Sequence, residues 1–194
     1  MQIVHDLKNQ LNGLKLYATF LRKRMEKAER PADEQETLAK LISGLERAAA
    51  DMTVLVRFGR SLELRRQPGT DLARLLRDAA EGASVETVGG PFEGDFDPVL
   101  LGEALKNITV GALGESGAGE VEGAAARVRL SGDGSLASVE WQGGAAAGEG
   151  EDPFRSLAGA AGLRMALAAK IVRAHGGEVS HEDGRIRARL PLQD

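Results

Sequence analysis

Cysteine is absent from the 194 residues. Disulfides and thiolate metal sites are therefore excluded, and the absence fits a reducing, cytoplasmic setting. Long apolar runs are missing as well: none approaches the roughly 20 residues needed to span a bilayer. Residues 1–12 mix charge with apolar side chains and lack the pattern of a signal peptide. There is no basic excess, because 25 Lys and Arg face 29 Asp and Glu for a net charge of −4. A chain with that balance is a poor partner for nucleic acid, whose phosphates need a basic surface. No internal repeat is visible. What is present is 42% apolar residues, enough for a buried core in one large domain or two small ones.

The first third predicts two long helices. Leu7, Leu11, Leu14, Ala18, Leu21 and Met25 recur at alternating spacings of four and three, a heptad seam. Residues 27–34 are polar and hold Pro31, which cannot sit inside a helix, so a turn is expected there. Asp33, Glu34 and Glu36 suit the start of a second helix. Its seam is Leu38, Ile42, Leu45, Ala49, Met52 and Val56, widened by Leu41, Ala48, Leu55 and Leu62. Two such helices make an antiparallel hairpin with apolar surface left over, so two hairpins are expected to pair into a dimeric four-helix bundle. Packing against the second half is the other way to cover that surface.

Pro68 and Gly69 break the pattern, and most of the 25 glycines lie beyond them. The organisation expected is a helical hairpin over 1–66, a linker over 67–70 and a second domain over 71–194. Within that domain the spacing predicts helices over 71–80, 98–112 and 157–175. The last is closed by Gly176 and Gly177. Strands are predicted over 85–88, 126–130, 136–141, 178–181 and 185–190, with hairpin turns at Gly132-Asp133-Gly134 and Asp183-Gly184. Helices and antiparallel strands in this order give an α+β fold, a two-layer sandwich after the hairpin.

Chemistry-bearing residues cluster at the start of the first helix. If Leu7 and Leu11 face the seam, His5, Asn9 and Asn12 share an outer face, four and then three residues apart. A phosphoacceptor imidazole must be neutral, nucleophilic and reachable by another protein. Asp6 can orient the ring or take its proton, and Asn9 can hold a water or a phosphoryl oxygen. A surface histidine beside an aspartate fits the same spacing, and the residues alone leave both readings open.

The run His5-Asp6-Leu7-Lys8-Asn9, with Leu11 and Leu14, resembles the H-box of two-component sensor histidine kinases. The resemblance implies that His5 carries the phosphoryl group, that Asp6 assists it and that Asn9 serves phosphatase activity. Gln10 stands where the family usually has proline. Residues 54–64 resemble the end of the second helix, and 68–76 the linker that follows. Asp97-Pro98 with Ala104 to Asn107 resembles the N-box of the gyrase, chaperone and kinase type of ATPase domain. Asp152-Pro153-Phe154 resembles its phenylalanine motif, and 162–177 its last glycine box and helix.

The departures from that pattern fall on nucleotide contacts. The family places a magnesium-binding Asn four residues after Asn107; here Gly111 has no side-chain oxygen. The adenine-binding Asp corresponds to Trp141, within Trp141-Gln142-Gly143-Gly144, and an indole cannot accept that hydrogen bond. Trp141 is expected to fill adenine space or core. The box Gly-Leu-Gly-Leu reads Gly162-Leu163-Arg164-Met165, so Arg164 replaces a glycine that lets backbone N–H groups approach phosphate. The segment between Phe154 and Gly162 is short. These residues mark a degenerate nucleotide site, with no cofactor and no metal expected.

The resemblance therefore implies a histidine phosphotransferase, an enzyme moving a phosphoryl group between the Asp of a receiver domain and His5. Response-regulator receivers, which bring their own magnesium, are the expected partners, with a second copy of the chain. The alternatives are a working kinase core using Mg and ATP, and a non-catalytic module that binds a receiver or strips its phosphate. His175 is expected as a cation at a helix end. His181 is given no role, and Arg22, Lys23 and Arg24 form a solvated basic cluster.

Overall fold

The computed structural model describes residues 2–27, 32–80, 83–113, 127–142, 152–157, 159–182 and 185–193. The chain divides into two compact units, 1–60 and 61–194.

The first unit is a pair of long helices, α1 (Gln2–Lys27) and α2 (Ala32–Gly59). Asp33 and Glu34 occupy the first turn of α2 and Arg57 its last, each favourable to the helix dipole. The predicted seam holds only in part within one chain. Ala18, Leu38 and Ile42 are buried, with Met25 and Leu45 packed against them. Leu14 and Leu21 remain about half exposed, at 54% and 50%, and Leu41 is similar. One ion pair, Lys15 to Glu46 at 2.9 Å, ties the helices on the flank of the seam. The turn expected around Pro31 lies outside the described residues.

The second unit contains α3 (Leu72–Ala79), α4 (Pro98–Leu113) and α5 (Gly159–Ala174). Its strands are β1 (Gln67–Asp71), β2 (Ser84–Val88), β3 (Glu93–Phe96), β4 (Arg127–Asp133), β5 (Leu136–Gln142), β6 (Glu178–Glu182) and β7 (Arg185–Pro191). Five strands form a mixed sheet in the order β2-β4-β5-β7-β6, in which only the β2–β4 pair is parallel. Burial alternates along β5 and β7 as a half-buried sheet requires. Val128, Leu130, Val139, Trp141, Ile186, Ala188 and Leu190 face inward, and α4 and α5 supply Leu101, Leu105, Ile108, Leu167, Ile171 and Val172 to the same core. The architecture is α+β, as the sequence predicts. The Asp183-Gly184 turn lies outside the described residues.

Three elements differ from expectation, one of them β3, where no strand was predicted. Residues 67–70, expected as a linker, belong to β1, which pairs antiparallel with β3. The ladder shifts register between Gln67 and Thr70, and this irregularity accommodates Pro68 and the positive φ of Gly69. The break in α2 comes earlier, at Gly59. Helix ends are set by explicit caps. Asp71 accepts the backbone N–H groups of Ala73 and Arg74 at 2.8 and 3.2 Å. At the end of α5, the Gly177 N–H returns to the Val172 carbonyl and the Gly176 N–H to that of Arg173, both at 3.0 Å. Gly176 has φ +81°, the left-handed geometry this closure needs.

Candidate functional site

His5 and Asp6 fall within α1, where the described side chains begin at Asn9. Asn9 and Asn12 are exposed. With 3.6 residues per turn, positions 5, 9, 12, 16 and 20 follow one stripe on the side away from Ala18 and the seam. Leu16 and Phe20 lie on that stripe and are 69% and 64% exposed. Lys23 continues it toward the end of the helix and is also exposed. The seam residues Leu14 and Leu21, and Tyr17 between the seam and the stripe, are exposed as well. Beside them a groove of about 410 Å³ is lined by Met25, Thr37, Leu38 and Leu41, with Asp33 and Glu34 at its edge.

In the second unit the described positions expected to meet nucleotide fall on α4, β5 and α5. Asn107 is half-buried on α4, and Gly111 lies one turn further on. A Cβ at Gly111 would run into Sδ and Cγ of Met165, so the α5 side chain occupies the space beside that glycine. Met165 itself is buried. Trp141 is 2% exposed, on the inner face of β5 between Val128 and Ile186. Its indole N–H donates to Thr109 Oγ1 at 2.9 Å, and Thr109 in turn donates to the Leu105 carbonyl at 2.8 Å. Of the two expectations for Trp141, core is the one observed. At Gly162 a Cβ would stand 2.9 Å from the Ser156 carbonyl oxygen, so this glycine is pressed against the chain's own 152–157 segment. That segment is pinned by buried Phe154, whose N–H donates to Asp152 Oδ1 at 3.0 Å. Arg164 is half-buried on α5. Gly143 and Gly144 lie outside the described residues.

A buried polar node sits at the other end of α4 and α5. Asp97 is 4% exposed. Its Oδ1 accepts the N–H groups of Val99 and Leu100, each at 3.0 Å, and its Oδ2 accepts the Arg65 N–H at 2.8 Å. Burial pushes this carboxyl up, but the N–H groups of Leu100, Arg65 and Val99 together outweigh it and hold the pKa below the ordinary value. The Asp97 N–H donates to His175 Nε2 at 3.0 Å, while His175 Nδ1 lies 2.8 Å from the Ile171 carbonyl. Nε2 must therefore be an acceptor and Nδ1 the donor, which fixes a neutral imidazole. Burial lowers the His175 pKa, consistent with that state. The helix-end cation expected at His175 is thus corrected: the ring is buried, and a proton on Nε2 would face an N–H.

Sequence reasoning did not find Thr109 or the Asp97–His175 node. Thr109 had one signal, a hydroxyl between the apolar Ile108 and Val110, which needs a partner when buried. The node joins residues 78 apart in the chain, and nothing local announces it.

No protein-family profile matches the chain. No curated protein matches it either. Solved structures do. Full-length ShkA, solved with AMPPNP, superposes with a TM-score of 0.65 at 20% identity, over 100% of this chain and 45% of that one. Histidine kinase ThkA in complex with response regulator protein TrrA gives 0.63 at 14% identity, over 99% and 61%. The Acinetobacter baumannii histidine kinase AdeS gives 0.58 at 12% identity, over 97% of each chain. The chain thus spans about half the length of ShkA and three-fifths of that of ThkA. Among the described residues, no helix is long and apolar enough to cross a membrane. The helical pair followed by the sandwich, aligned end to end with ThkA and AdeS, gives this chain the fold of a histidine kinase core with an ATPase-like domain.

Proposed function

We propose that the chain is a histidine phosphotransferase of a two-component phosphorelay, passing a phosphoryl group between receiver aspartates through His5 without using ATP. The observation that carries this reading is Met165 packed into the space beside Gly111. A magnesium ligand at that point would need a side-chain oxygen, which Gly111 lacks, and Met165 would have to swing aside to admit one. Trp141 supports the same conclusion, being committed to the core and to Thr109. These residues do not fit Mg·ATP, and the proposed transfer does not use it.

The stripe on α1 supports the transfer reading. His5 at its head is followed by Asn9, Leu16, Phe20 and Lys23, a polar start and an apolar, then basic, continuation. Exposed large apolar residues in a row mark an interaction surface, and a receiver domain is the partner whose chemistry the histidine serves. ThkA was solved with a response regulator protein, which favours the same class of partner here. In the forward step a nitrogen of neutral His5 attacks the phosphorus of the receiver's aspartyl phosphate in line. The N–P bond forms, the P–O bond breaks, and the receiver carboxylate leaves. Asp6 takes the imidazole proton. Asn9 positions the phosphoryl oxygens, and charge neutralisation comes from the receiver's own metal site. A second receiver reverses the step. The flank of Leu14, Tyr17, Leu21 and Leu41 is covered by a second copy, completing a four-helix bundle.

The test uses phosphorylated receivers with wild-type and His5→Ala protein, beside calorimetric titration with Mg·ATP. Transfer should vanish in His5→Ala, and nucleotide should give no heat at millimolar concentration. Relay by His5→Ala would overturn the proposal. A micromolar ATP site would restore an autokinase.

A further inference from the structure

The mixed sheet of the second unit turns one face toward the core and the other outward. Val128, Trp141 and Ile186 are buried in the core. Period-two alternation therefore sends Arg127, Gln142 and Arg185 to the opposite face, and all three are exposed. Five arginines point outward from two strands: Arg127 and Arg129 from β4, and Arg185, Arg187 and Arg189 from β7. None of the five strands contains lysine. A chain of net charge −4 thus gathers guanidinium groups, and no ammonium, on one side of one sheet.

Three of these arginines are answered by carboxylates. Glu140 Oε1 accepts from Arg187 Nε at 2.9 Å and lies 2.7 Å from its Nη2. Arg189 Nη1 lies 3.0 Å from Glu178 Oε1. Arg129 stands in register between Glu86 and Glu140. Arg127 and Arg185 have no ion pair among the described residues. Arg127 is flanked by Ser84 and Gln142. The β5–β7 ladder, continued one pair past Trp141 and Ile186, sets Gln142 beside Arg185. Glu182 follows on the edge strand. The result is a row of guanidinium, amide and guanidinium across three adjacent strands.

Arginine offers a planar fork that matches a carboxylate. The row is flat, whereas small-molecule sites are concave. The hollow beside it holds about 80 Å³ and has Glu140 and Glu182 in its wall, which repel a small anion. The one Phe, Tyr or Trp side chain of these strands, Trp141, is buried, so bases find no stacking platform. Two strand spacings separate the Arg127 and Arg185 backbones by about 10 Å, and in an extended chain residues three apart lie at about the same distance. We infer that Arg127, Gln142 and Arg185 form a docking strip for an acidic segment of a partner protein, one whose carboxylates recur at every third residue of an extended stretch. Each guanidinium takes one carboxylate, and the Gln142 amide donates to a backbone carbonyl between them. The inference is independent of the chemistry proposed at His5 and gives the sandwich a recognition role of its own.

Fluorescence anisotropy of the full chain with a labelled peptide of four Glu-Ser-Gly repeats tests the strip, the Tm of each variant reporting that it is folded. At about 50 mM salt the peptide should bind with a Kd below about 1 mM, and more weakly as salt rises. Arg127→Gln together with Arg185→Gln should weaken binding about tenfold. Arg129→Gln together with Arg189→Gln removes the same charge from the same face, at positions already answered by glutamates, and should weaken it less than about threefold. Equal losses in the two double variants, or no binding at low salt, would overturn the strip. So would a single-stranded oligonucleotide or inorganic phosphate that displaces the peptide at equal concentration, the first assigning the face to nucleic acid and the second to a small anion.

Discussion

The two units solve the burial problem in opposite ways. The sandwich closes on itself: its sheet, α4 and α5 bury Leu, Ile, Val and Trp side chains to zero or a few per cent exposure. Among its described residues the helical pair buries Ala18, Leu38 and Ile42 and leaves Leu14, Tyr17, Phe20, Leu21 and Leu41 half exposed or more. Within one chain the first unit leaves a row of apolar side chains uncovered, whereas the second leaves only scattered ones such as Val99 and Leu136. The difference teaches that the first unit has apolar surface to offer a partner, as the proposed function requires, while the second spends most of its apolar surface on its own core.

The sharpest way to break this contrast is to charge the open flank. If the proposed second copy covers this flank, the wild-type protein should sediment as a dimer and Leu14→Glu together with Leu41→Glu as a monomer in analytical ultracentrifugation; a wild-type monomer, or a variant that stays dimeric, would remove the flank as the dimer seam. Next in size is the core of the sandwich. Trp141→Ala should cost about 3–5 kcal/mol, read as a drop in the denaturation midpoint of the second unit. A cost under about 1 kcal/mol would mean that the inner face is loosely packed. Thr109→Val keeps the shape and strands the buried indole N–H, with an expected cost of about 1–3 kcal/mol.

Smaller effects follow pH. The folded His175 resists the proton that the unfolded chain accepts near its ordinary value of 6.5. Between that value and its lowered folded pKa the unfolded state binds more protons. Stability should therefore fall as pH drops through about 6.5, and level off below the folded pKa. Asp97, whose pKa is also lowered, contributes stability that is present above the unfolded value of 3.8 and is lost as pH falls through the folded one. The Tm measured from pH 7.5 to 5.5 should decline, and His175→Phe should flatten that decline at a lower baseline. An unaltered slope would remove His175 as its source. The smallest change is Lys15→Ala. Its exposed pair with Glu46 should be worth well under about 1 kcal/mol.

Much of this arrangement was legible in the order of residues. Heptad spacing located α1 and α2, paired glycines located the end of α5, and period-two runs located β4, β5, β6 and β7. The illegible parts have physical reasons. β1 hides behind Pro68 and Gly69, which read as breakers and here sit in a register shift. β3 is Glu-Gly-Asp-Phe, four residues with no apolar alternation to reveal a strand. Of the candidate site, Gly111, Trp141 and Gly162 could be singled out from the chain. What fills the space around them could not, because Met165 and Ser156 meet those glycines only after folding.

The contact between Gly111 and Met165 also couples the two positions. An asparagine at 111 would bring its Cβ against the Met165 thioether, and the flexible end of that side chain would have to swing aside to admit it. Shortening Met165 instead would open a cavity at a cost of about 2–5 kcal/mol, a large share of the stability of an ordinary domain. The thioether beside Gly111 is therefore a hinged door: a change of rotamer opens it cheaply, its removal does not.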